Sequence, residues 1–127
     1  MLSIKALLSK ILQTDLVVDS GISSTGWAWK KYASGHYEAE RTWNIGQVTL
    51  STAPATNYRV SADITVSTPS AMSSGSVQAT LQGSSSGSPI FLENISASKI
   101  RIAKIANTLV TLQNVTIILR TVNARWK

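Results

Sequence analysis

The sequence contains no cysteine and a single histidine, His36. A disulfide framework is thereby excluded, and the usual zinc, iron–sulfur and thiol-nucleophile sites cannot be assembled within one chain. Charged residues are sparse, at 14%, and acidic ones are outnumbered by basic ones, six against twelve. No run approaches the roughly 18 to 20 apolar residues that a membrane span needs, so membrane insertion is not expected. Phosphate loops and nucleophile elbows are missing too, and neither a cofactor nor catalysis is expected.

What the chain does have is small hydroxyls: Ser and Thr make up 32 of its 127 residues, a bias common in β-rich proteins. The length suits one globular domain. The net charge of +6 is carried late, because residues 64–127 hold Lys99, Arg101, Lys104, Arg120, Arg125 and Lys127 against Glu93 alone. A basic half can attract nucleic acid or anionic glycans. The cations are spaced singly, however, and no aromatic lies between Phe91 and Trp126, whereas single-strand platforms interleave the two. No nucleic-acid partner is expected, and the cations read as a solvated face.

Met1, Ile4, Leu8 and Ile11 recur at helical spacing with Ser3, Lys5, Ser9 and Lys10 opposite, so an amphipathic α-helix is expected over 1–14. It is too short to stand alone, and its apolar side must pack on the domain or on copies of itself. Residues 15–26 contain the small, polar run Ser20–Gly26 and read as a linker. From Trp27 to Lys127 the pattern becomes β, with strands expected at 27–32, 36–43, 46–51, 57–67, 76–82, 89–92, 99–105, 108–112 and 114–122. The clearest alternation is Tyr58, Val60, Ala62, Ile64 and Val66 against Arg59, Ser61, Asp63 and Thr65. Strands at about ten-residue spacing with polar turns predict an all-β, antiparallel, jelly-roll-like β-sandwich carrying the short N-terminal α-helix.

Five of the eight aromatic residues fall between 27 and 43. Gly26-Trp-Ala-Trp-Lys-Lys-Tyr32 and His36-Tyr-Glu-Ala-Glu-Arg-Thr-Trp43 read as a hairpin turning through Ala33-Ser-Gly35. Period two puts Trp27, Trp29 and Lys31 on one side of the first strand, and His36, Glu38 and Glu40 on one side of the second, opposite Tyr37, Ala39, Arg41 and Trp43. Large aromatics in small domains are mostly buried, which makes these rings core or subunit interface. The alternative is a glycan platform of Trp27, Trp29, Tyr32, His36, Tyr37, Glu38 and Trp43, with rings stacking on sugar faces and polar groups taking hydroxyls. Glu38 and Glu40 are about 6 to 7 Å apart as i and i+2 on a strand. Two carboxylates on one strand face are expected to pair with Lys30, Lys31 or Arg41 rather than to hydrolyse a glycoside.

The run Trp27-Ala-Trp29-Lys-Lys31-Tyr32, a turn ending in Gly35, then His36 and Glu38 with an aromatic beyond, resembles a segment near the C-termini of bacteriophage and prophage tail-fibre and baseplate receptor-binding proteins. Ala39-Glu40 stands where that family often has Cys-Trp after the glutamate. The resemblance implies a homotrimeric β-rich tip that contacts a host cell-surface polysaccharide, alongside other tail or baseplate proteins. It also implies a location in the virion, or in the bacterial cytoplasm before assembly. Two other readings stay open: a ligand-free tail or baseplate structural protein, and an isolated carbohydrate-binding module.

Overall fold

A computed structural model of the protein describes residues 15–84 and 89–127. The amphipathic helix expected over 1–14 lies outside the described residues. The rest is all-β and antiparallel, as read from the sequence. One sheet has the order β1 (Val17–Ile22), β2 (Ala28–Tyr32), β3 (His36–Leu50), β10 (Val110–Arg125) and β7 (Ser74–Gly83). The other is built on β9 (Lys99–Ile105). β5 (Tyr58–Val60) and β6 (Ile64–Thr65) pair with successive stretches of one edge of β9, and β8 (Phe91–Ser96) pairs with the other. β4 (Thr52–Ala55) completes this sheet beside β5.

The inner sides of the two sheets share a core. Trp27, Tyr37, Ala39, Ile117, Leu119 and Ala124 from the first meet Val66 and Ile100 from the second, while Val48, Leu50, Leu112 and Val115 enclose Ile102. Burying each such large aliphatic side chain is worth about 1.5–3 kcal/mol relative to exposure, so β10, flanked by β3 and β7, anchors the layer. Its 16 residues replace the two strands expected at 108–112 and 114–122. Leu112 points inward, then Val115, Ile117 and Leu119, then Ala124, and the phase changes at Asn114 and Asn123, both with φ of 50°. Asn tolerates this left-handed conformation, and at each site the ladder to β3 shifts register, so these are bulges that re-aim the following side chains. The strands expected at 36–43 and 46–51 likewise merge into one β3.

Two further expectations are corrected. Residues 17–22, read as part of a linker, form β1, whose backbone pairs along β2 from Val17↔Tyr32 to Ile22↔Ala28. Its Gly- and Ser-rich composition mimics a linker, yet the Trp29 ring lies over Gly21 with little room for a side chain there. The strand expected over 57–67 is interrupted at 61–63. The Ser61 N–H still donates to the Ile102 carbonyl at 2.8 Å, but the Ser61 hydroxyl accepts the Ile102 N–H at 3.0 Å and donates to the Ala62 carbonyl at 2.9 Å, so a side chain takes the place of one ladder bond.

Candidate functional site

The hairpin is closed by a turn in which the Gly35 N–H donates to the Tyr32 carbonyl at 3.0 Å, with Gly35 at φ 97°, a value few other residues adopt. Its register sets Lys30 opposite Glu38 and Trp29 opposite Ala39. Alternation therefore sends the seven candidate platform residues to two opposite sides of the sheet. Trp27 and Tyr37 go inward and are each only 1% exposed. Trp29 and Trp43 also pack against the core and are partly buried. Only Tyr32, His36 and Glu38 lie on the outer side.

The partly open inward rings already carry cations. Lys31 Nζ sits 5.3 Å from the ring centroids of both Trp29 and Trp126, Lys127 Nζ is 4.9 Å from that of Trp126, and the Arg41 guanidinium is 5.0 Å from that of Trp43. Trp126 anchors the C-terminal segment to the chain's own hairpin, donating from Nε1 to the Tyr32 carbonyl at 2.8 Å and from its backbone N–H to the Gly35 carbonyl at 3.0 Å. These contacts make the Trp side of the hairpin a packing surface rather than a set of free ring faces.

On the outer side three residues form a compact group. The Tyr32 phenol donates to Glu38 Oε2 at 2.9 Å, His36 Nε2 lies 3.4 Å from Glu38 Oε1, and the Tyr32 and His36 rings are 5.3 Å apart and tilted by 47°. Asp15 braces the turn behind them, accepting from the Ser34 hydroxyl at 2.6 Å and from the Ser34 N–H at 3.1 Å. The hydrogen bond to Glu38, with a smaller contribution from partial desolvation, holds the Tyr32 phenol above the usual tyrosine range. The Ser34 hydroxyl is the main cause holding the Asp15 carboxyl below the usual carboxylate range.

The signs of these two shifts bracket a pH window. The Asp15 contribution is present above the ordinary carboxylate range and lost as pH falls through its lowered value. The Tyr32 contribution is present below the ordinary tyrosine range and lost as pH rises through its raised value. Subtracting the ultraviolet titration of Tyr32→Phe from that of the wild type should leave a phenol ionising above the ordinary value. Glu38→Gln should bring that midpoint back down. An unchanged midpoint in Glu38→Gln would show that the hydrogen bond does not hold the phenol.

Beyond this group an open groove of about 940 Å³ runs along the same outer side. Its floor follows the register rows Ile22–Ala28–Glu40–Arg120 and Ser20–Lys30–Glu38 across β1, β2, β3 and β10. Ile22, 78% exposed, gives one end an apolar lip. Glu40 Oε2 receives Arg120 Nε at 3.0 Å, a pairing the sequence did not anticipate because Arg120 lies 80 positions away. Arg41, one of the expected partners of Glu38 and Glu40, is on the opposite side of β3 against Trp43. Alternation of His36, Glu38 and Glu40 was legible in the sequence, but Arg120, Ser20 and Ile22 join them only through strand order.

The cations read as one basic face are dispersed. Arg101 pairs with Glu93 at 2.6 Å on the second sheet, Arg120 with Glu40 on the first, and Arg125 donates to the Ser34 carbonyl at 2.8 Å. Among the described residues no three potential metal ligands lie together, and no helix is long and apolar enough to cross a membrane. Fold and site together define a small antiparallel protein of two layered sheets whose first sheet presents a polar, open groove on its outer side. No family model, curated protein or solved structure matches the chain.

Proposed function

We propose that this protein is a non-enzymatic receptor-binding component of a phage or prophage tail tip, a jelly-roll-like β-sandwich that assembles as a homotrimer and adheres to a host cell-surface glycan. The observation that carries the reading is the exposed outer side of the hairpin, where Tyr32, His36 and Glu38 stand together at the end of an open groove. Ring faces beside fixed hydrogen-bonding groups suit a sugar, and weak contacts repeated on linked subunits add up to firm attachment. The adjacency of β3, the return strand of the hairpin, and β10, the last strand, within one sheet supports the jelly-roll-like description. Oligomerisation is supported by Leu16, Val17 and Val18, each roughly half exposed at the start of edge strand β1, where a neighbour would cover them.

Light scattering should give a mass near three times 13.6 kDa. In a panel of bacterial surface polysaccharides, Tyr32→Ala and Glu38→Ala should each weaken binding at least about tenfold through loss of avidity, with unchanged mass and at most a small fall in melting temperature. A monomer that binds none of the panel would overturn the reading and leave a ligand-free tail or baseplate fitting as the better one.

A further inference from the structure

The groove is lined by four charged side chains, Lys30, Glu38, Glu40 and Arg120. Three are already engaged: Glu40 by Arg120 at 3.0 Å, and Glu38 by the Tyr32 phenol at 2.9 Å and by His36 at 3.4 Å. Among the described residues Lys30 has no ion pair, although it stands directly opposite Glu38 in the ladder. The Glu38 oxygens are turned to Tyr32 and His36, so the Lys30 ammonium has no direct ion-pair partner among the described residues even though the charges lining the groove balance. Ser20 stands beside Lys30 across the β1–β2 ladder, Thr42 lies farther along the groove beyond Glu40, and Ile22 forms an apolar lip at the end.

These groups have different tastes. The lip suits the apolar face of a pyranose, and the hydroxyls of Ser20 and Thr42 and the Glu40–Arg120 pair suit sugar hydroxyls. A neutral saccharide laid over Lys30 would strip water from a cation and offer it only neutral hydroxyl acceptors, which bind it less strongly than an anionic group does. A saccharide with a carboxylate or phosphate at that position would instead form a charge-assisted hydrogen bond, and the net charge of +6 favours its approach.

We propose that the groove selects an anionic saccharide, carboxylated or phosphorylated, whose negative group is received by Lys30. The inference rests on the glycan-binding reading above and names the chemistry of the ligand. Lys30 is a specificity-determining residue that sequence reading passed over, because its opposition to Glu38 suggested an ordinary cross-strand ion pair.

Two matched pairs of probes test it by calorimetric titration of the full chain: oligogalacturonate against its methyl ester, and phosphomannan against its dephosphorylated form. In at least one pair the charged member should bind about tenfold more tightly, equivalent to 1.4 kcal/mol, and the advantage should shrink as salt is raised. Lys30→Gln should abolish the difference and Lys30→Arg retain it. The side chain is exposed, so both variants should melt like the wild type. Whichever pair discriminates identifies the acid. Equal binding of charged and neutral members would overturn the selection while leaving glycan binding standing. A preference that survives in Lys30→Gln would overturn the role of Lys30. Failure of all four probes to bind would overturn both the selection and the adhesive reading it rests on.

Discussion

Gly75→Ala is expected to lower stability by about 3 to 5 kcal/mol, since it combines a steric clash with a backbone conformation that L side chains avoid. Gly75 lies in β7 opposite the second bulge of β10, between the pairs Ser76↔Val122 and Ser74↔Arg125. Its φ is 111°, and a Cβ there would stand 2.5 Å from the Ala124 Cα and 2.9 Å from its N and Cβ. The obstacle is backbone, which cannot swing aside as a long side chain would, and Ala124 is itself in the core at 1% exposure. Relief would require moving the bulge at Asn123, which aims Ala124 inward. Urea unfolding should show a lower midpoint at constant slope, whereas Ser76→Ala one position along should stay within about 0.5 kcal/mol of the wild type. A Gly75→Ala protein as stable as its parent would mean that the bulge does not close on β7 as described.

Trp27→Ala should be comparably severe, at about 3–5 kcal/mol, because a fully enclosed indole leaves a cavity that two facing sheets cannot close. Trp27 is 1% exposed and sits with Tyr37, Ile117 and Leu119 in the larger core cluster. Trp27→Phe should cost clearly less than the alanine variant. It keeps most of the packing and removes an indole N–H that is buried with no hydrogen-bond partner among the described residues. The pair of variants separates the two roles offered by the aromatic hairpin. If Trp27 is core, both variants change the unfolding midpoint in that order and leave glycan affinity per folded molecule alone. If Trp27→Ala stayed fully folded and lost only binding, the ring would be a ligand platform after all.

Much of the architecture was legible because period two is a local property. The inward sets of β7, β9 and the middle of β10 follow from alternation, and the hairpin 27–43 follows from Gly35 between two aromatic strands. Legibility failed wherever the deciding partner was distant. β1 looked like a linker because its pairing with β2 and the Trp29 ring over Gly21 leave little mark in its own residues. The merging of the strands expected at 108–112 and 114–122 into β10 was hidden because nothing local shows that the left-handed Asn114 serves a bulge within a continuing strand. Ser61 broke the clearest alternating run by bonding to Ile102, 41 positions away.

The candidate site divides in the same way. By itself the sequence determined that the chain builds antiparallel sheets, that disulfides play no part, and that His36, Glu38 and Glu40 share a strand side, since each follows from composition or from the alternation of side chains along a strand. Only the tertiary structure decided which side of the hairpin faces the core, because either side carried aromatic rings and burial depends on where the second sheet lies. It also decided the electrostatics of the groove. Arg120 reaches Glu40 because β10 inserts beside β3, and Tyr32 takes Glu38 across the hairpin, so Lys30 is left without an ion pair among the described residues.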